Sequence, residues 1–370
     1  MHGQGKKTLS QVSGSLHPNL GGPTTVIMNT TYRFSDFYIY NSIVFGSSID
    51  GFDTKCINPT FLNNRFGFNF RIPNKNSRRI LKSSDIIIIH GYYLWSTLIA
   101  LYYSATPNIF LMPHGSLERY QNKKGKFRKY IFRKIATILL GNRSMHFLVG
   151  SESEILSIRE IFPIYPISVV GLGIEISNDL NDLSQIHDPI NLFCLSRISH
   201  KKRIDLCIHA ISKLNSVKSR YKLKIYGSGD EDLEDELKRL VKTLKVQDSV
   251  SFEGHVDGIS KKMAIKNSDI LLLPSENENF AVAVAESISF GKPVVVSKFV
   301  AMHEFVDRFK AGITIDCLEI DEIVLAIEQI SDNFSIYQRN CLTSARLLDW
   351  NEVFKRWHEV IESNLVEYDK

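Results

Sequence analysis

The stretch Ile270-Leu-Leu-Leu-Pro-Ser-Glu-Asn-Glu-Asn-Phe-Ala-Val-Ala-Val-Ala-Glu286-Ser287 decides the reading of this chain. Four apolar residues in a row ending at Pro274 describe a strand buried on both faces, which is the habit of a parallel sheet. A polar loop follows, and the small residues after it predict a helix beginning near Phe280. The first N–H groups of such a helix have no intrahelical acceptor. Those of Phe280, Ala281 and Val282 therefore offer a site for an anion or a hydroxyl. Ala281, Ala283 and Ala285 let a ligand or a neighbouring backbone come close. Glu278 stands just before the helix, where a carboxylate also suits the helix dipole. Glu286 lies about a turn and a half inside, and a carboxylate within an apolar, alanine-rich helix argues for more than a solvated side chain.

Working outward, the same alternation recurs. Asn191 to Ser196, Leu223 to Tyr226, Val250 to Phe252 and Pro293 to Ser297 are strand-like, with helical segments such as Arg203 to Leu214 and Asp232 to Leu244 between them. The first half repeats the pattern: a strand over Thr8 to Ser13, a loop over His17 to Pro23, a helix from about Thr24, and buried strands at Ile86 to Ile89, Ile109 to Met112 and Phe147 to Val149. Strands alternating with helices imply right-handed crossovers and parallel sheets. The expectation is an α/β chain of two doubly wound, Rossmann-like domains, 1–172 and 173–370, linked near Val169 to Glu175. In such sheets ligands sit at the carboxyl ends of the strands.

Composition agrees with two globular domains. The chain has 370 residues, 44% of them hydrophobic, and its 22 Phe and 14 Tyr exclude wholesale disorder. Five cysteines without a C-x-x-C pair argue against a disulfide scaffold or a cysteine zinc site and favour a reducing compartment. The polar, basic start has no apolar run of the signal-peptide kind. Between Asp85 and Glu118 there is no charged side chain, yet Gly91, Pro107, Asn108 and Pro113 cut the stretch into pieces too short to span a bilayer. Residues 1–172 carry a balance of +12 and the remainder −7. The basic half should face something anionic.

Further motifs fall in a fixed order. Ser196-Arg-Ile-Ser-His-Lys-Lys202 follows one strand, Tyr226-Gly-Ser-Gly229 ends the next, and Phe252-Glu-Gly-His-Val256 ends the third. The first half holds His17-Pro-Asn-Leu-Gly-Gly-Pro23, Ile89-His-Gly91 and Pro113-His-Gly-Ser-Leu117. Together with the E-x₇-E spacing of Glu278 and Glu286, this series resembles the retaining GT-B glycosyltransferases of family four over nearly the whole chain. The resemblance implies two Rossmann-like domains facing across a cleft, an acceptor side built from the first half and a donor side from the second. It also implies a C-terminal helix, about 350–370, that packs back on the first domain. There are departures. The family's E-G-F-G is Glu278-Asn279-Phe280-Ala281, its linker N-G is Gly171-Leu-Gly173, and the glycine after the donor lysine is Arg203.

What the resemblance implies is chemically coherent. A nucleotide diphosphate sugar, UDP- or GDP-linked, leaves charge on its phosphates as the glycosidic bond breaks. Arg197 and Lys202 would neutralise that charge, with N–H groups of Gly21 and Gly22 brought close. Glu286 is assigned to the ribose hydroxyls, Glu278 to the transferred sugar, and Val256, Asn279, Phe280, Ala281 and Val282 to the donor site. His114 would orient the sugar or the acceptor hydroxyl, whereas His90 reads mainly as structural. Transfer of a hexosyl group with retention to a lipid-linked or glycan acceptor is expected, in O-antigen or capsule assembly at the cytoplasmic face. Neither a metal, a cofactor nor a nucleic-acid partner is expected. Asp230-Glu-Asp232 has the metal-binding D-x-D form, but it opens an acidic helix where negative charge suits the dipole. A sugar-nucleotide epimerase or phosphorylase, or a catalytically silent sugar-nucleotide-binding partner, are the alternatives on the same fold.

One segment stands apart. Lys123, Lys124, Lys126, Arg128, Lys129, Arg133 and Lys134 lie within twelve residues without an acid. On a helix, Phe127, Ile131, Ile135 and Ile138 share one face. Either that stripe packs on the sheet beneath a solvated basic face, or the helix meets an anionic membrane surface.

Overall fold

A computed structural model describes residues 6–14, 22–45, 73–118, 125–176, 183, 185–217 and 220–368. The chain divides into two compact units, one of Met1–Gly173 with Val353–Lys370 and the other of Ile174–Glu352. Each is a six-stranded, wholly parallel sheet with helices between its strands. This is the doubly wound architecture that the alternating pattern predicts.

In the first unit the elements run β1 (Thr8–Ser13), α1 (Gly22–Phe37), β2 (Ile39–Val44), α2 (Lys75–Ser83), β3 (Ile86–His90), α3 (Trp95–Tyr103), β4 (Ile109–Met112), α4 (Lys126–Leu140), β5 (Met145–Val149), α5 (Ser153–Arg159) and β6 (Ile167–Val169). The strand order is β2-β1-β3-β4-β5-β6. All five residues of β3 and all four of β4 are buried, which explains the unbroken apolar composition of the uncharged stretch. No helix among the described residues is long and apolar enough to cross a membrane.

The second unit continues with β7 (Ile190–Leu195), α6 (Ile204–Val217), β8 (Tyr221–Tyr226), α7 (Glu231–Thr243), β9 (Val250–Gly254), α8 (Gly258–Lys266), β10 (Ile270–Leu273), α9 (Val282–Ser289), β11 (Val294–Ser297), α10 (His303–Phe309), β12 (Gly312–Ile315), α11 (Ile320–Asp332) and α12 (Phe334–Ala345). Its order, β12-β11-β10-β7-β8-β9, reverses direction between β7 and β10, which pair directly. That reversal is the topological switch point, the place where open α/β sheets leave a crevice at the strand ends. The core beneath is continuous, from Leu192 and Cys194 on β7 to Leu272 on β10 and Ile323 and Ile327 on α11.

The last helix, α13 (Trp350–Ser363), begins in the second unit, and from Val353 its residues count with the first. There Phe354 and Trp357 pack edge-on against Phe34 of α1 at 5.0 and 6.4 Å between ring centres. The Trp357 indole N–H donates to the Gly171 carbonyl at 3.3 Å, and the Tyr38 hydroxyl donates to Glu362 at 2.6 Å. Aromatic burial with satisfied polar tips anchors the helix.

Candidate functional site

Each predicted donor-side motif of the second unit lies just beyond the carboxyl end of its strand. Ser196 to Lys202 follows β7, Gly227 to Gly229 follows β8, Val256 follows β9, and the Glu278 loop follows β10. The glycine turn is there for close approach. A Cβ on Gly227 would stand 1.8 Å from the Ser196 carbonyl oxygen, and one on Gly229 2.0 Å from that of Ile198. Ser196 N–H donates to Tyr226 O, and Ile198 N–H to Ser228 O, both at 3.1 Å. The two glycines thus fix the loop that carries Arg197. Arg197 is exposed at its tip.

The β7 and β10 loops are stitched together, since Glu276 N–H donates to the Lys201 carbonyl at 2.8 Å. Glu278 is pinned by its backbone on both sides: its N–H donates to Phe299 O at 3.0 Å, and its carbonyl accepts from Ala301 N–H at 2.9 Å. Its carboxylate accepts from the Lys202 ammonium, with the Lys201 ammonium at 3.8 Å. Both members of the Lys202–Glu278 pair are largely buried, with 11% and 13% of their side chains exposed. Burial pulls the Lys202 pKa below the usual lysine value, Glu278 opposes this, and the positive charges of Lys201 and Arg197 add to the lowering. A buried, tightly held ammonium beside an exposed guanidinium is a charge pair suited to a doubly charged anion.

Arg203 has φ +51°, in the left-handed region, where a glycine costs nothing and any other residue is strained. Its guanidinium is held by Asp205 at 2.9 Å and lies 3.6 Å from Glu276. Ala281 has φ +65° and is the N-cap of α9. This corrects the sequence expectation: the helix starts at Val282, two residues later than predicted, because the left-handed residue at 281 turns the chain into it. Phe280 is buried outside the helix, and Val282 is its first residue. Glu286 consequently sits about one turn in, not a turn and a half.

The Glu286 carboxylate accepts from the ammonium of Lys261 on α8. Sequence reasoning missed Lys261, which sits among the ordinary charges of a short surface helix and gave no pattern to read. Asn279 and Val256 are half-buried on the same strand-end edge. The D-x-D is a helix cap: Asp230 Oδ1 accepts from Asp232 N–H at 3.1 Å and Leu233 N–H at 3.4 Å.

In the first unit, Gly22 is the first residue of α1, so the helix begins two residues before the expected Thr24. Gly21 and the rest of His17–Gly21 lie outside the described residues, as do Lys123 and Lys124. His90 ends β3 and His114 follows β4 in a left-handed turn, φ +52°. Their rings stack 5.2 Å apart, with His90 Nδ1 and His114 Nε2 at 2.9 Å. One proton can lie between those nitrogens, so the pair cannot both be cationic. Burial lowers both pKa values, that of His114 to about 4 and that of His90 well below the usual histidine value, with His114 adding to the latter. His114 is therefore a neutral imidazole at pH 7, able to donate or accept a hydrogen bond.

Fold and strand-end site together define the GT-B class of two parallel-sheet Rossmann-like domains. Residues 177–346 match the glycosyl transferases group 1. The structure of HepE from Anabaena in complex with UDP superposes with a TM-score of 0.77 at 16% identity, covering 96% of this chain and 100% of that one. Among curated relatives, an uncharacterized glycosyltransferase of Methanocaldococcus jannaschii is 29% identical over 143 residues, 39% of this chain and 36% of the relative. The amylovoran biosynthesis glycosyltransferase of Erwinia amylovora is 28% identical over 157 residues, 40% of this chain and 38% of the relative. The matched stretches thus span little more than a third of either curated relative.

Proposed function

We propose that this chain is a glycosyltransferase that moves a hexosyl group from a nucleotide diphosphate sugar to an acceptor hydroxyl, with retention of anomeric configuration. The observation that carries the reading is the pinned Lys202–Glu278 pair at the switch point of the second unit's sheet, with Glu286 about one turn into the helix that follows the Glu278 loop. As the glycosidic bond breaks, its electron pair goes to the departing diphosphate. Lys202 and Arg197 neutralise the charge that develops there, and the first N–H groups of α9 add their partial positive charge. Binding a diphosphate gives Lys202 a second anion to share with Glu278, freeing carboxylate lone pairs for the sugar hydroxyls. Glu286, paired with the Lys261 ammonium, accepts from the ribose hydroxyls. His114, neutral, serves the sugar or the acceptor hydroxyl. No metal takes part, because cationic side chains do its work.

That the Anabaena neighbour holds UDP supports a nucleotide donor for this chain. The Erwinia relative's name supports a place in polysaccharide assembly. The acceptor we propose is lipid-linked or a glycan, met at the inner face of the plasma membrane. Incubation with UDP- and GDP-sugars, followed by NMR of the released or transferred sugar, tests the reading. Expected is slow donor hydrolysis or transfer giving the donor's own anomer first. The inverted anomer would overturn retention, and donor epimerisation without acceptor would overturn transfer.

A further inference from the structure

The helix α4 carries Lys126, Arg128, Lys129, Arg133 and Lys134, and it does not bury the stripe that its sequence pattern offers to a sheet. Phe127 is 74% exposed and Ile138 77%, with Ile131 and Ile135 exposed beside them. The helix docks instead through Ala136 and Leu140, helped by Phe132 and Leu139. At 100° per residue, Phe127, Ile131, Ile135 and Ile138 fall within one quarter of the helix, opposite that buried face. The apolar stripe points outward.

Its surroundings continue it. Helices α2 and α4 both pack on α3, whose Trp95 and Tyr102 are also exposed. Between α3 and α4 lies a cavity of about 250 Å³ lined by Pro73, Trp95, Leu98, Tyr102, Ile135 and Leu139 among others, almost wholly apolar. The three helices together carry nine basic and no acidic side chains. Lys129 lies over the Tyr93 ring at 4.8 Å and Lys134 over Tyr130 at 5.7 Å, so part of this charge is held at the margin of the apolar surface. An outward apolar stripe, a neighbouring hydrocarbon-sized groove and a rim of one sign match an anionic lipid leaflet: acyl chains at the centre, headgroup phosphates around it. A protein partner would require an acidic rim and gains no support from the groove's shape.

We propose that this α2-α3-α4 face inserts into the acyl boundary of an anionic membrane, Phe127 and Ile138 leading and the groove at Trp95 receiving a hydrocarbon chain. The inference deepens the inner-membrane part of the functional reading by naming the surface and the mode, insertion in place of adsorption by charge alone. The chain's other two tryptophans, Trp350 and Trp357, are buried, so Trp95 is a built-in reporter.

The full chain is mixed with vesicles of phosphatidylcholine alone or with phosphatidylglycerol added, and both sedimentation and tryptophan emission are followed. Expected is binding to the anionic vesicles with a blue shift that Trp95→Phe abolishes. Phe127→Ser with Ile138→Ser, both on exposed side chains, should weaken partitioning at least about tenfold and leave hydrolysis of a soluble sugar nucleotide unchanged. Sedimentation without a blue shift would mean adsorption by charge alone and overturn insertion. No binding at low salt would overturn the lipid assignment and leave the face to a protein. Neither result bears on donor chemistry, which is measured without vesicles.

Discussion

At position 281 a single methyl group separates this chain from the glycine of the family it resembles, and the backbone shows what that methyl costs. Ala281 holds φ +65° at the entrance of α9, a conformation that strains any residue with a Cβ. Ala281→Gly should therefore raise stability by about 0.5–1 kcal/mol, the relief being partly offset by the greater freedom of glycine in the unfolded chain. Denaturant unfolding checks this, and a loss of stability would mean that the methyl packs to advantage. The proposed sugar transfer rests on other residues of the same edge. Lys202→Ala and Arg197→Ala should each slow sugar transfer at least ~100-fold through lost stabilisation of the leaving diphosphate. Arg197 is exposed and Lys202 lies outside the hydrophobic core, so circular dichroism should show the fold retained in both, with some loss of stability in Lys202→Ala from the Glu278 carboxylate left without that partner. Near-normal turnover in a folded variant would remove that side chain from the proposed mechanism.

At the scale of elements, the strands buried on both sides were legible because burial writes itself into composition. Ile86 to Ile89, Ile109 to Met112 and Ile270 to Leu273 are strands in the structure as in the sequence. The strands β2 and β12 escaped notice because both are sheet edges, where Tyr40, Asn41 and Thr314 dilute the apolar run. The start of α9 was misplaced because nothing in an Asn-Phe-Ala-Val sequence announces a left-handed alanine. Lys261 was invisible for a different reason: its meeting with Glu286 joins two helices through tertiary packing alone. The stripe on α4 was legible as a stripe, but which face the fold would bury was not. For Asp230-Glu-Asp232 the local rule sufficed, and the cap geometry gives it a test. Asp230→Asn with Asp232→Asn should change stability and turnover little, since asparagine caps as well as aspartate, and turnover should survive exhaustive chelation. If chelation stops the reaction and manganese or magnesium restores it, the proposed metal-independent chemistry is wrong.

For the molecule as a whole, the two units invite separate tests. The first carries a pH dependence in His90 and His114, whose folded pKa values are lowered by burial, that of His114 to about 4. Unfolding returns them to near 6.5. The unfolded chain then binds more protons below that value, so the stability these residues contribute is full above pH 6.5 and is lost as the pH falls toward 4. Thermal melts between those limits should show the first unit's transition falling with acid, less steeply in His114→Asn. A transition that stays level would contradict the buried, neutral pair.

The second unit carries the central claim, that its sheet's switch point binds a nucleoside diphosphate between the β7 loop and α9. Calorimetry of UDP and GDP against the full chain tests this most directly, in the absence of metal and without any acceptor. The account predicts saturable binding of at least one of the two. It also predicts severe weakening by Glu286→Ala, which removes the proposed ribose acceptor, and only slight change by Glu278→Ala, which removes the proposed partner of the sugar that a bare diphosphate lacks. Binding of neither nucleotide, or equal loss in both variants, would contradict it.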